Sequence, residues 1–228
     1  MLLDEFQSFH FIGVGGAGMS AIAYMLLKKG YLVSGSDLHA SEATARLSNN
    51  GAVIYMGHAA ANLTEAVGAV VLSSAIRPDN PELVEARHLG LPIFHRADVL
   101  AGLLNQCDGI AVAGSHGKTT TTSMIAYLLE KAGMDPNVLI GGDLEAIGGN
   151  AKVGSSRCLV AEADESDGSF LKFTPLIAVV TNIENDHLDH YGNETEIRKA
   201  FVQFLNQVKP GGFAVLCMDS AAVSLVAP

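Results

Sequence analysis

Short apolar runs recur at about 9–12, 31–34, 52–55, 69–72 and 92–94. Between them, at about 17–29, 41–50, 80–89 and 97–105, apolar residues return every third or fourth position among polar ones. The first pattern suits strands buried on both faces, the second helices with one buried stripe. Their alternation predicts βα units, hence a parallel sheet covered by helices. A second series opens near 109 with a strand, a glycine loop and a helix to about 132, then strands near 137–140, 158–162, 176–181 and 213–217. The restart places a boundary between Asn105 and Asp108, giving domains 1–106 and 107–228. The chain ends soon after a strand and the start of a helix, so the second domain is expected to be partial and the chain a fragment.

The second series opens with Ala113-Gly114-Ser115-His116-Gly117-Lys118-Thr119-Thr120-Thr121-Thr122. Residues 109–113 read as a buried strand, and Ile125, Leu128, Leu129 and Ala132 recur at helical spacing, so the loop opens a helix N-terminus. Backbone N–H groups and the helix dipole there favour phosphate oxygens, Lys118 adds a point charge, and the Thr119 hydroxyl can complete a magnesium shell. The usual triphosphate loop has glycine six residues before the lysine, where this chain has Val112.

Near the N-terminus, a strand over 9–12 is followed by Gly13-Val14-Gly15-Gly16-Ala17-Gly18 and a helix. Gly13, Gly15 and Gly18 fit GxGxxG in its required context, and Asp37 lies 19 residues beyond Gly18. Such a loop reads a diphosphate and such an aspartate a ribose. NAD, FAD or another diphosphate nucleotide such as a UDP-sugar would satisfy both. The triphosphate loop favours the last, since a ligase consuming ATP on a nucleotide-linked substrate needs two sites, whereas hydride transfer has no need of ATP. The fold class is therefore α/β, a Rossmann-like parallel-sheet domain followed by the first part of a P-loop-type ATP-binding domain.

Further polar groups fall at strand ends. Glu162 closes a hydrophobic strand and is a candidate magnesium ligand; Asp164, Glu165 and Asp167 read as a solvated turn. The run from Thr181 to His190 repeats the design, with His187 a candidate to join carboxylates around magnesium and His190 a surface residue. Ser73 and Ser74 suit a base or sugar contact or a plain turn. His10, His39, His58, His88 and His95 read as structural, although His58 and His95 could line the first domain's site. Arg77 and Arg96 read as surface cations.

Composition narrows the classes. The 49% hydrophobic content supports real cores, and the net charge of −10 argues against a nucleic-acid surface. Cys107, Cys158 and Cys217 are odd in number and widely spaced, so buried free thiols in a reducing compartment are expected. No basic-then-apolar leader opens the chain, and the run from Ala21 to Leu27 is too short for a bilayer, so a cytoplasmic protein without membrane partners is expected.

Together, Gly-Gly-Ala-Gly-Met-Ser at 15–20, Gly-Ser-Asp at 35–37, the loop at 113–122, Glu-Ala-Asp-Glu-Ser-Asp at 162–167 and Thr-Asn-Ile-Glu-Asn-Asp-His at 181–187 resemble the ATP-dependent Mur ligases of peptidoglycan synthesis. The branch that joins L-alanine to UDP-N-acetylmuramate is the better match. The ligase recycling murein tripeptide typically has an aromatic residue where this chain has Ser166. A nucleotide-binding module without turnover is the reading from another class.

The resemblance implies a bacterial enzyme with an N-terminal domain for the UDP part, a central ATP domain and a C-terminal domain that these residues do not match. It implies Gly15, Gly16, Ala17, Gly18, Met19, Ser20, Asp37, Ser73 and Ser74 around the UDP part. Gly114, Ser115, His116, Gly117, Lys118, Thr119 and Thr120 would surround ATP, and Thr119, Glu162 and His187 would hold magnesium, with Lys118, Glu162 and His187 catalytic. Some relatives carry a carbamylated lysine whose equivalent here falls near Val202 or Gln203. Lys199 is out of phase and takes no such role.

Overall fold

The computed structural model describes residues 3–184, 186 and 188–227, with the side chains of Asp143, Leu188 and Asp189 set aside. His187 therefore lies outside the described residues. Contacts divide the chain into two units, Met1–Leu100 and Ala101–Pro228.

The first unit runs β1 (Ser8–Ile12), α1 (Ala17–Lys28), β2 (Leu32–Asp37), α2 (Glu42–Asn49), β3 (Val53–Met56), β4 (Ala69–Leu72), α3 (Pro81–His88) and β5 (Ile93–His95). The next helix, α4 (Arg96–Asn105), spans the division. The sheet order is β3-β2-β1-β4-β5 with every pair parallel. Successive strands thus wind outward on opposite sides of β1, and the loop leaving β1 sits at the switch in direction, where such sheets bind ligands. β1 is central, so Phe9, Phe11 and Ile12 are buried. Ile12 and Val70 pack with Leu63, Val67, Leu83 and Ala86.

The second unit continues with β6 (Asp108–Ala113), α5 (Lys118–Lys131), β7 (Asn137–Leu144), β8 (Gly149–Lys152), β9 (Cys158–Glu162), β10 (Ile177–Val180), α6 (Leu188–Tyr191), α7 (Glu194–Asn206), β11 (Phe213–Leu216) and α8 (Ala221–Ser224). Its sheet order is β11-β10-β6-β9-β7-β8. β6 lies between β9 and β10, so the carboxyl ends of three parallel strands surround the loop that follows it. On α7, Ile197, Ala200, Phe201 and Phe204 form the buried stripe. Phe170 meets both Phe201 and Phe204, at ring-centroid separations of 5.2 and 5.1 Å. Each such buried ring contributes about 2–3 kcal/mol of transfer free energy.

Three features differ from expectation. β7 runs on to Leu144 and turns back into β8, an antiparallel hairpin edge on an otherwise parallel sheet. The helical stripe of α5 is displaced: Thr122 and Ala126 are buried, whereas Leu128 is 64% exposed and Ala132 is also exposed. Ala126 packs with Val138 and Ile140 of β7, while Ile125 and Leu129 are half-buried. Of the cysteines, all free, Cys107 is buried and Cys158 half-buried, but Cys217 is exposed just past edge strand β11. Among the described residues no helix is long and apolar enough to cross a membrane.

Candidate functional site

Among the helices of eight residues or more whose N-caps are described, two kinds of start occur. In α2, Ser41 and Thr44 form a capping box; in α3 and α7, Asn80 and Asn193 accept from first-turn amides. α1 and α5 instead begin after Gly16 and Gly117, with no side-chain cap. Uncapped first turns keep N–H groups available to an anion. These two helices are the ones that follow the glycine loops.

In the second unit, a cavity of about 220 Å³ is lined by Ser115, His116, Gly117, Lys118, Thr119 and Thr120. Neighbouring strand ends hold its loop. Thr181 Oγ1 donates to the carbonyls of His116 (2.7 Å) and Ala113 (3.3 Å), the His116 N–H donates to Asn182 Oδ1 (2.9 Å), and the Glu184 N–H donates to Ser115 Oγ (2.9 Å). Gly114, at φ +133°, faces Thr181 so closely that no side chain fits between them.

The Lys118 ammonium donates to the carbonyls of Gly114 (2.7 Å) and Ser115 (3.4 Å) and to Glu165 Oε1 (3.0 Å). Glu165, expected in a solvated turn, is 2% exposed. It is therefore corrected to a buried ion-pair partner of the loop lysine. The Tyr191 hydroxyl donates to the Glu165 carbonyl (2.5 Å), and burial, with the charges of Glu165, Asp167 and Asp164, pushes that phenol well above its ordinary range.

Glu162, at the end of β9, accepts the Gly141 N–H at 2.7 Å through Oε1. The Thr119 methyl lies over the adjacent Gly142. The carboxylate and the hydroxyl-bearing residue thus meet the same stretch of β7, and hard oxygen donors of this kind suit magnesium. A third group, His116, Glu184 and Asp186, brings its ligand atoms within 4.8 Å of one another. All three are exposed, and His116 Nε2 lies 3.4 Å from Glu184 and 3.7 Å from Asp186, so they form a surface polar cluster at the loop. Lys199 pairs with Glu196 on α7 at 2.7 Å.

In the first unit, the Gly13 and Val14 N–H groups donate to the Ser36 carbonyl (2.8 and 2.9 Å), and the Gly15 N–H donates to Asp37 Oδ2 (2.8 Å). The aspartate thus bonds the glycine loop itself, and its Oδ1 accepts from His39 N–H. A methyl at Gly15 would lie 2.8 Å from that carboxylate. Gly16 and Ala17 are exposed, whereas the Met19 and Ser20 side chains are buried, Ser20 Oγ donating to Ala17. Ser74 Oγ meets His95 Nε2 at 3.1 Å, and Ser73, half-buried, precedes it. Arg96, expected at the surface, is half-buried with its guanidinium against Gly18, while Arg77 is exposed and paired with Asp79.

Glu165, Gly141, Thr181 and Asn182 are site residues that the linear reading did not single out. Their one sequence-level signal is position at or beside a parallel strand's carboxyl end.

Comparison with known proteins bears on both units. Residues 8–107 match the model described as "Mur ligase family, catalytic domain", and residues 112–227 match the Mur ligase middle domain. The chain is 54% identical over 227 residues to a UDP-N-acetylmuramate--L-alanine ligase of Syntrophotalea carbinolica, covering 100% of this chain and 49% of that protein. It is 58% identical over 217 residues to the protein of that name in Pelotomaculum thermopropionicum, covering 95% and 47%. The chain thus spans about half the length of these curated relatives.

Among solved structures, the UDP-N-acetylmuramate-alanine ligase of Thermotoga maritima matches with a TM-score of 0.88 at 35% identity, over 96% of this chain and 51% of that one. A UDP-N-acetylmuramate:L-alanyl-gamma-D-glutamyl-meso-diaminopimelate ligase from Neisseria meningitides matches with a TM-score of 0.86 at 31% identity, over 97% and 74%. With both units matched in sequence and the fold matched over nearly its full length, the chain belongs to the Mur ligase family.

Proposed function

We propose that these residues supply the UDP-substrate and ATP sites of a magnesium-dependent ligase that joins L-alanine to the lactyl carboxylate of UDP-N-acetylmuramate in peptidoglycan synthesis. The observation that carries the reading is the uncapped α5 start with Lys118, flanked by Glu162 and Thr119 at neighbouring elements. The names of relatives at 54–58% identity support L-alanine as the amino acid.

Phosphoryl transfer needs positioning and charge neutralisation more than covalent help from the protein. The amides at Gly117 to Thr120, in the uncapped start of α5, and the Lys118 ammonium bind and orient the β and γ phosphates, while Ser115 and His116 are held through their N–H groups by Asn182. The lactyl carboxylate attacks the γ-phosphorus of ATP and ADP leaves, giving an acyl phosphate; the L-alanine amine then adds to its carbonyl, loses a proton and expels inorganic phosphate, leaving the amide. Thr119 and Glu162 would hold magnesium, which neutralises phosphate charge when bound; His187 is the proposed further ligand. Gly15 to Ser20, Asp37, Ser73 and Ser74 form the proposed seat of the UDP part, with the buried Met19 and Ser20 contributing through their backbone. The setting is bacterial and cytoplasmic.

The test is phosphate release from ATP and magnesium by the protein carrying these residues. Release requiring both UDP-N-acetylmuramate and L-alanine is expected. Release indifferent to L-alanine overturns the reading, and preference for the murein tripeptide in its place assigns the protein to the recycling branch.

A further inference from the structure

A buried ionic cluster in the first unit has no part in the reading above. Glu82, in the first turn of α3, is 0% exposed, as is His10 in the middle of β1. His10 Nε2 faces Glu82 Oε1 at 3.5 Å, while its Nδ1 meets Ser34 Oγ at 2.9 Å. His58 Nδ1 lies 3.1 Å from Glu82 Oε2 and 2.9 Å from Ser36 Oγ. The Asn80 cap and the N-terminal end of α3 favour negative charge at this point. A buried carboxylate held this thoroughly is poor value for stability compared with an apolar side chain of equal size.

Two arms lead from it to the glycine loop. In the first, Ser36 Oγ donates to Glu82 Oε2 at 2.5 Å, and the Ser36 carbonyl accepts the N–H groups of Gly13 and Val14. In the second, Asn62 Nδ2 donates to Glu82 Oε1 (2.6 Å) and to the Gly57 carbonyl (3.1 Å), the Gly57 N–H donates to the Asp37 carbonyl (2.8 Å), and Asp37 Oδ2 accepts the Gly15 N–H. Both arms grip the carboxyl end of β2 at adjacent residues, and both end on loop amides.

We infer that Glu82 is a positioning residue of the diphosphate site: it fixes Ser36 and Asp37, and through them the backbone of Gly13 to Gly15. The inference rests on the first unit being the seat of the UDP part. A carboxylate with two oxygens accepts from both arms together, whereas glutamine, with one acceptor oxygen, can accept from only one of them and must turn an N–H toward the other.

The experiment uses the 228-residue chain and its Glu82→Gln, Ser36→Ala and double variants. Amide hydrogen exchange at Gly13, Val14 and Gly15 is read without ligand, and affinities for UDP and for ATP are measured by calorimetry. Each single change is expected to speed exchange at these amides and to weaken UDP binding by about tenfold, leaving ATP affinity unchanged. The double variant is expected to lose little more than Glu82→Gln alone, because Ser36 acts through one of the two arms that Glu82 already holds. Unchanged loop exchange in a folded Glu82→Gln protein overturns the inference, as do fully additive losses or equal losses of UDP and ATP affinity. Should Glu82→Gln fail to fold, Ser36→Ala carries the same readouts. If the unsubstituted chain does not bind UDP, the diphosphate reading fails separately, and loop exchange alone decides whether Glu82 sets the loop.

Discussion

Replacing Gly114 by alanine tests whether the loop after β6 is held by the neighbouring strand end. At φ +133° an alanine costs about 1–3 kcal/mol in backbone strain. Its methyl would lie 2.2 Å from Thr181 Oγ1 and 2.9 and 3.0 Å from the Asn182 carbonyl and amide, far inside the ~3.5 Å of ordinary contact. Thr181 cannot simply turn away, because Oγ1 holds the His116 and Ala113 carbonyls. Loop and strand must part by about 1 Å, adding about 1–3 kcal/mol of overpacking. A displacement of that size at a phosphate site costs about 10²-fold in function. Denaturant unfolding of the second unit and calorimetry with magnesium and ATP read the two effects separately. Adding Thr181→Ala removes the shortest contact but not the strain, so partial recovery of ATP affinity is expected. A Gly114→Ala protein with unchanged stability and ATP affinity within about threefold would refute the reasoning.

Lys118→Ala is expected to weaken ATP binding by about 10²-fold or more while UDP affinity stays within about twofold, since a charge-assisted phosphate contact is lost in one unit only; calorimetry with each nucleotide checks it. Glu165→Gln keeps an acceptor for Lys118 but removes a negative charge beside the phosphate cavity, so ATP is expected to bind about three- to tenfold tighter, and a tenfold loss would show that the charge is needed to hold the lysine. Burial pushes the Glu82 carboxyl up, but the His10 imidazole and the donors Ser36 and Asn62 outweigh it and bring it down to about 2 from 4.5. A depressed carboxylate stabilises the fold above its unfolded value and ceases to as pH falls through its folded one. Between about pH 4.5 and 2 the first unit is therefore expected to lose stability more steeply than Glu82→Gln does, and parallel slopes in thermal melts across that range would contradict the assignment.

The parallel core of each unit was legible because strand and helix periods are local, and the two glycine loops because Gly13 to Gly18 and Gly114 to Thr119 carry their chemistry in consecutive residues. The β7–β8 hairpin was not, since glycines at 141–142 and 148–149 interrupt any apolar period. Leu128 was read as inward because spacing reports a stripe without saying which residues the sheet leaves room for. Glu165 escaped because its partner is 47 residues away, and Glu82 because Ser36 is 46 away. No periodicity encodes a pairing that depends on how strands are ordered. Arg96 escaped for the same reason, its neighbour Gly18 lying on another element.

An ammonium has three protons, and Gly114, Ser115 and Glu165 take all three in Lys118. A nucleotide entering the loop therefore meets a cation already satisfied, and its phosphates gain the lysine by exchange with an acceptor already present. On the proposed reading, less opposite charge would be newly brought together than if the lysine stood free, and affinity would fall more gently as ionic strength rises. If the loop holds a nucleotide as proposed, a small inorganic anion could take one acceptor's place without also reaching along the first-turn amides of α5, and an extended polyphosphate would have the advantage.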